Sequence, residues 1–131
     1  MNDLTDIQIA DLEARLTQRR RGLKEEVREV LLQSDEQHHK DLAGSVADAG
    51  DDAVADMLVD IDTALVDRHV VELLDIEAAL QRMRNGSFGV CIDCGAATGY
   101  ERLAAYPTAK RCIRCQQRHE ITHTRGATPT L

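Results

Sequence analysis

Aromatic side chains are almost absent: the 131 residues include no tryptophan, one phenylalanine and two tyrosines. So few large rings argue against a thick globular core and favour an elongated helical protein, which needs fewer of them. No run of about twenty apolar residues could cross a membrane, and no basic stretch followed by an apolar one marks a secretory leader. The cysteines are not scattered as in a disulfide framework, so the expected compartment is reducing and the expected location cytoplasmic. Positive charge is scarce where it would matter for binding nucleic acid. The net charge is −7, and residues 35–77 carry thirteen acidic side chains against two basic ones. Phosphate would be repelled by that long middle, so direct reading of DNA is not the expected role.

All four cysteines lie between Gly86 and Cys115, as Cys91-x2-Cys94 and Cys112-x2-Cys115, with seventeen residues between the pairs. This is the spacing of a four-thiolate zinc site. Two intervening residues let both sulfurs of a knuckle reach one ion, and the second knuckle completes a tetrahedron. Gly86, Gly89 and Gly95 suit the tight turns of the first knuckle. All three aromatics (Phe88, Tyr100, Tyr106) fall in the same stretch, which predicts a small core built around the metal. Four thiolates leave no open coordination position, so one structural zinc ion is expected. The competing reading, redox CxxC pairs, lacks the flanking βαβ pattern.

Upstream the pattern is helical. Thr5 to Gln8 has the form of a capping box. Ile9, Leu12, Leu16, Leu23, Val27 and Val30 then follow at spacings of three, four or seven, one apolar seam on a long helix. Arg15, Arg19, Arg20, Arg21 and Lys24 read mostly as a solvated basic face. The pattern stops near Leu42, and the stretch Gly44–Gly50 reads as the turn of a helical hairpin. A second seam runs through Val54, Leu58, Ile61, Leu65, His69, Leu73, Ile76, Leu80 and Met83, with a stutter in its middle. His69 is expected as a packed residue, not a ligand. Asn85-Gly86 is a helix stop.

The predicted fold is therefore mainly α: a long antiparallel helical hairpin, a coiled coil over 5–85 with its tip at 44–53. It stands on a small four-cysteine zinc-finger base with a short C-terminal helix (86–123), followed by a disordered tail (124–131). His119-Glu120-Ile121-Thr122-His123 matches the HExxH motif of zinc proteases. That chemistry also needs a third ligand and a surrounding scaffold, and only eight residues follow the motif. Surface histidines on a short helix are the better reading, and no enzyme is expected.

The stretches GSFGVCIDCG and ERLAAYPTAKRCIRC resemble the zinc finger of the DksA/TraR family of bacterial RNA polymerase regulators. Independently, Asp48-Ala49-Gly50-Asp51-Asp52-Ala53 resembles that family's D-x-x-D-x-A coiled-coil tip, in register with the finger. The resemblance spans roughly residues 10–118. It implies a cytoplasmic, monomeric regulator whose coiled coil enters the secondary channel of RNA polymerase. Asp48, Asp51 and Ala53 would act there near the catalytic centre, altering promoter-complex stability.

In the DksA branch, basic residues of the second helix and finger help form a site for guanosine tetraphosphate, the alarmone of the stringent response. Arg68 matches one such basic position, and Arg68 and Arg102 are the residual candidates for contact with alarmone or polymerase. Asp75, Tyr106 and Gln116 occupy other such positions without positive charge, so weak or absent alarmone dependence is expected. Two other classes compete with this reading. One is a zinc-ribbon nucleic-acid module using Arg102, Lys110, Arg111, Arg114 and Arg118 on phosphate. The other is a thiol-based redox sensor.

Overall fold

The computed structural model describes residues 3–61 and 63–127, with side chains to residue 123. Six α-helices are found among the described residues: α1 (Asp6–Leu32), α2 (Gln37–Asp48), α3 (Val54–Ile61), α4 (Asp67–Asn85), α5 (Tyr100–Ala105) and α6 (Ile113–Ala127). Short 3-10 turns at Asp51–Ala53 and Ala64–Val66 precede α3 and α4. The chain forms two compact units, residues 13–80 and residues 1–12 with 81–131.

The start of α1 follows from its capping box. The Thr5 N–H donates to Gln8 Oε1 (3.0 Å) and the Gln8 N–H donates to Thr5 Oγ1 (3.1 Å), satisfying two helix-end donors. Leu12, Leu16, Leu23 and Val27 are buried as the periodicity predicts. The seam then shifts: Leu31 is buried and Val30 only half-buried.

The expected unbroken first arm is interrupted. α1 ends at Leu32, and the following residues, Gln33 to Asp41, contain no apolar side chain to continue the stripe. The Ser34 hydroxyl accepts the Glu36 N–H (3.2 Å), a local bond that competes with helix continuation. The expected turn at 44–50 is likewise corrected. Leu42, Ala43 and Val46 form a buried face, so Gly44 to Asp48 stay helical and the chain turns at Ala49–Gly50.

In the 13–80 unit, α1 and α4 run antiparallel. Arg19 reaches Glu72 (2.7 Å), Arg20 reaches Glu77 (2.5 Å) and Glu26 lies 3.7 Å from His69. The second seam buries Val54, Leu58, Leu73, Ile76 and Leu80, but Ile61 and Leu65 are about half exposed. Near the stutter the helix breaks, and Thr63 caps the 3-10 turn by accepting the Leu65 N–H. Val66 replaces Leu65 in the core. His69 is half-buried beside Glu26, an ion-pair position rather than a ligand position.

In the other unit, α4 stops where expected. Gly86 adopts φ +80°, and the N–H groups of Ser87 and Phe88 both return to the Arg82 carbonyl (2.9 and 3.1 Å). Phe88, Leu103 and Ala109 are buried with Cys91 and Cys115. Tyr100 and Tyr106 are exposed, so one aromatic and not three belongs to this core. Of the predicted tail, the backbone is helical to Ala127, and 128–131 lie outside the described residues.

Candidate metal centre and helical tip

The first knuckle is shaped by backbone bonds around Cys91. Its N–H donates to the Ala96 carbonyl (2.8 Å) and its carbonyl accepts the Gly95 N–H (3.0 Å). Gly95 takes φ +76°, which a side chain would strain. The second knuckle opens α6: Cys112 directly precedes the helix and its carbonyl accepts the Gln116 N–H (2.9 Å). A thiolate there sits at the positive end of the helix dipole. Two further contacts tie the knuckles together. The Ile92 N–H donates to the Lys110 carbonyl (3.0 Å), and the Arg111 guanidinium donates to Asp93 (2.8 Å).

The result is a compact cluster of four thiols. Zinc–sulfur bonds of roughly 2.3 Å require sulfurs about 3.8 Å apart. Cys94 and Cys112 Sγ are 3.8 Å apart, and all four sulfurs lie within 4.8 Å of one another. None is in a disulfide. As thiols, Cys91 and Cys115 are electrostatically mismatched. Against its burial, Cys91 is brought down to about 6 by backbone N–H groups of Cys94, Cys112 and Asp93. Burial and the neighbouring thiols push Cys115 up to about 12. A divalent cation resolves the mismatch by holding all four as thiolates. The residues fit one structural zinc ion, with Cys91 and Cys115 covered and Cys94 exposed.

The HExxH motif does not build a second centre of the protease kind. The His119 and His123 rings stack (3.7 Å between centroids), while exposed Glu120 accepts a hydrogen bond from Gln116 (3.1 Å). Among the described residues, neither histidine belongs to a group of three potential ligands.

The residues of the D-x-x-D-x-A stretch separate in role. Asp48 ends α2 and is exposed, as is Ala53. Asp51 is half-buried, with its carboxylate 3.2 Å from Lys24 Nζ and 3.5 Å from Arg21 Nε. Lys24, then burial working in opposition, then Arg21 set its titration, and the net effect lowers its pKa below the usual carboxylate value. Lys24 also donates to the Ala49 carbonyl (2.6 Å), so one ammonium holds both sides of the turn. The basic face is exposed at Arg15, Arg19 and Arg21, as expected, while Arg19, Arg20, Arg21 and Lys24 also form ion pairs. Arg19 binds Glu72 and Glu26, Arg20 binds Glu77, and Arg21 and Lys24 bind Asp51. A signal existed in the sequence: the basic stretch 15–28 and the acidic stretch 35–77 are complementary in charge.

Arg68 is exposed on α4. Arg102 is half-buried, donates to the Arg111 carbonyl (2.9 Å) and lies 5.7 Å from the Tyr106 ring centroid. Its guanidinium therefore supports the second knuckle from within. Asp75 is half-buried, Tyr106 exposed and Gln116 half-buried.

A family model described as "Prokaryotic dksA/traR C4-type zinc finger" matches residues 86–120. The chain is 30% identical over 119 residues to the "RNA polymerase-binding transcription factor DksA" of Caulobacter vibrioides, covering 89% of this chain and 79% of that one. It is also 30% identical over 118 residues to the protein of that name from Escherichia coli K12, covering 90% and 75%. The corresponding Salmonella typhimurium protein is 29% identical over the same length.

Proposed function

The chain belongs to the DksA/TraR family, and from that premise we propose that it is a cytoplasmic, monomeric transcription regulator that binds RNA polymerase. It acts by binding rather than by catalysis, through its helical 13–80 segment. That segment enters the secondary channel, and Asp48, Asp51 and Ala53 act near the polymerase active site to alter promoter-complex stability. The observation that carries this reading is the reach of the 30% identity: it extends over about nine-tenths of the chain, well beyond the finger match at 86–120. The acidic surface of residues 35–77 supports a protein partner over a phosphate backbone.

Asp51 does not act freely on this reading. Its ion pairs with Lys24 and Arg21 must be exchanged for contacts with the polymerase. A photo-cross-linker at position 51, incubated with purified polymerase, tests the proposal. Cross-links to the largest subunits, competed by unlabelled protein, are expected. Absence of cross-links together with unchanged transcription at sensitive promoters overturns it.

The nucleic-acid reading loses support because Arg102 and Arg111 are engaged inside the finger. One observation keeps the redox reading as the alternative: Cys94 is exposed while Cys91 and Cys115 are covered. Retained zinc and unchanged regulation under mild peroxide would remove it.

A further inference from the structure

The turn between α1 and α2 gathers a second set of side chains of metal-ligating type, far in sequence from the cysteines. Glu36 is the N-cap of α2, a position where Ser, Thr, Asp or Asn normally accepts a helix-end N–H. Its carboxylate makes no such bond. Instead Glu36 Oε2 lies 3.3 Å from His38 Nε2 and 3.3 Å from His39 Nδ1. The two rings converge, with centroids 4.1 Å apart, although consecutive helical residues ordinarily point apart. One ligand atom from each of the three residues lies within 4.8 Å of the other two.

These separations carry information. At 3.3 Å the contacts exceed the common N–H···O distance of about 2.9–3.0 Å. They match the edge of a tetrahedron with metal–ligand bonds of about 2.0–2.1 Å, which is roughly 3.3–3.4 Å. We propose that Glu36, His38 and His39 form a second, surface metal site that takes a late first-row dication, with zinc as the occupant tested. Two imidazoles and one carboxylate suit such ions, whereas calcium and magnesium call for oxygen-rich shells. The three ligands leave a fourth position for water, so this ion exchanges readily, unlike one enclosed by four thiolates.

Ser34 sets the terms of binding. Its hydroxyl is 2.6 Å from His39 Nδ1 and also accepts the Glu36 N–H at 3.2 Å. Coordination by Nδ1 exchanges the first bond for a metal bond and leaves the second in place. The backbone is already set, since the His39 and Lys40 N–H groups both return to the Glu36 carbonyl (3.1 and 3.4 Å). The bound ion therefore ties the N-cap residue to the first turn of α2. Neighbouring Asp35 adds negative charge in the chain.

The test titrates full-length protein, already loaded with one zinc at its cysteines, with further zinc by calorimetry. One additional ion per chain is expected. Its affinity should fall by about tenfold or more in His38→Ala and in Glu36→Gln, and stay unchanged in His123→Ala. His38 is largely exposed (72%), so its removal leaves the fold intact, as a thermal melt would verify. In a parallel cobalt titration the second ion should add no thiolate charge-transfer band. No second binding event, a second event that survives His38→Ala, or one abolished by His123→Ala overturns the site.

Discussion

Asp51 is the residue at which charge, packing and proposed function meet. Lys24 holds it at 3.2 Å with both side chains largely covered, at 16% and 29% exposure. Replacing Lys24 with alanine removes this pair and the bond to the Ala49 carbonyl, and should cost about 1 kcal/mol in a denaturant melt. The same substitution leaves Asp51 only its longer contact with Arg21 (3.5 Å), so regulation per bound molecule should rise. Asp51→Asn keeps size and turn propensity but removes the charge. Polymerase binding should survive it while regulation in a transcription assay fails. Normal regulation by both Asp48→Asn and Asp51→Asn would show that the tip works in some other way.

Among the helices, the ion pairs across α1 make the 13–80 segment sensitive to acid. Asp51 and Glu72 are both lowered, from ordinary values of 3.8 and 4.5, by hydrogen bonds from Lys24 and Arg19 respectively, with burial opposing in each case. A depressed carboxylate contributes its stability in full above its unfolded pKa and loses it as pH falls through the folded value. The contribution is therefore present at neutral pH and drains away below pH 4.5 for Glu72 and below pH 3.8 for Asp51. Glu72 is 43% exposed, so solvent screens its share and Asp51 should dominate. Melts across about pH 3–6 should show a shallower acid loss for Asp51→Asn/Glu72→Gln than for the parent. Parallel curves would refute the linkage, and the zinc unit is common to both proteins.

For the molecule as a whole, the four cysteines all fall in one of the two compact units, so metal removal should act on that unit first. The finger buries one aromatic, Phe88, together with only a few aliphatic residues such as Leu103 and Ala109, so its turns should depend on the ion. Structural zinc in small modules contributes about 10–16 kcal/mol of apparent binding free energy. Chelation, or Cys91→Ser, should unfold the finger while much of the helix in 13–80 persists by circular dichroism. A full native melt in chelated protein would contradict a structural ion. Alarmone response is also a property of the whole chain. Asp75, Tyr106 and Gln116 stand without positive charge where the resemblance implies basic residues, and a polyphosphate ligand relies on Lys and Arg. At an effective dielectric of about 20, a like charge at 4 Å costs roughly 4 kcal/mol, which offsets what a single cation such as Arg68 returns at the same distance. Titrating guanosine tetraphosphate at a sensitive promoter should change regulation little. Strong synergy abolished by Arg68→Ala would show that the site survives in altered form.

What the sequence by itself determined was local. The Thr5–Gln8 cap, the stop at Asn85–Gly86 and both cysteine knuckles depend on groups within a few residues, so spacing alone specifies them. The seam of α1 was legible to Val27 because a helical stripe repeats every three or four residues. Tertiary structure decided the rest. It chose Leu31 over Val30 and Val66 over Leu65, because the partner surface and not the period selects which neighbour is buried. The break at Gln33–Glu36, by contrast, has a local cause, a polar run whose Ser34 hydroxyl competes with helix continuation. Tertiary structure also paired Lys24 with Asp51 and Arg20 with Glu77, 27 and 57 residues apart. Such pairs depend on the path of the chain between them, which no local pattern encodes. The convergence of Glu36, His38 and His39 is local in sequence, but it depends on the uncapped start of α2, which no periodicity marks.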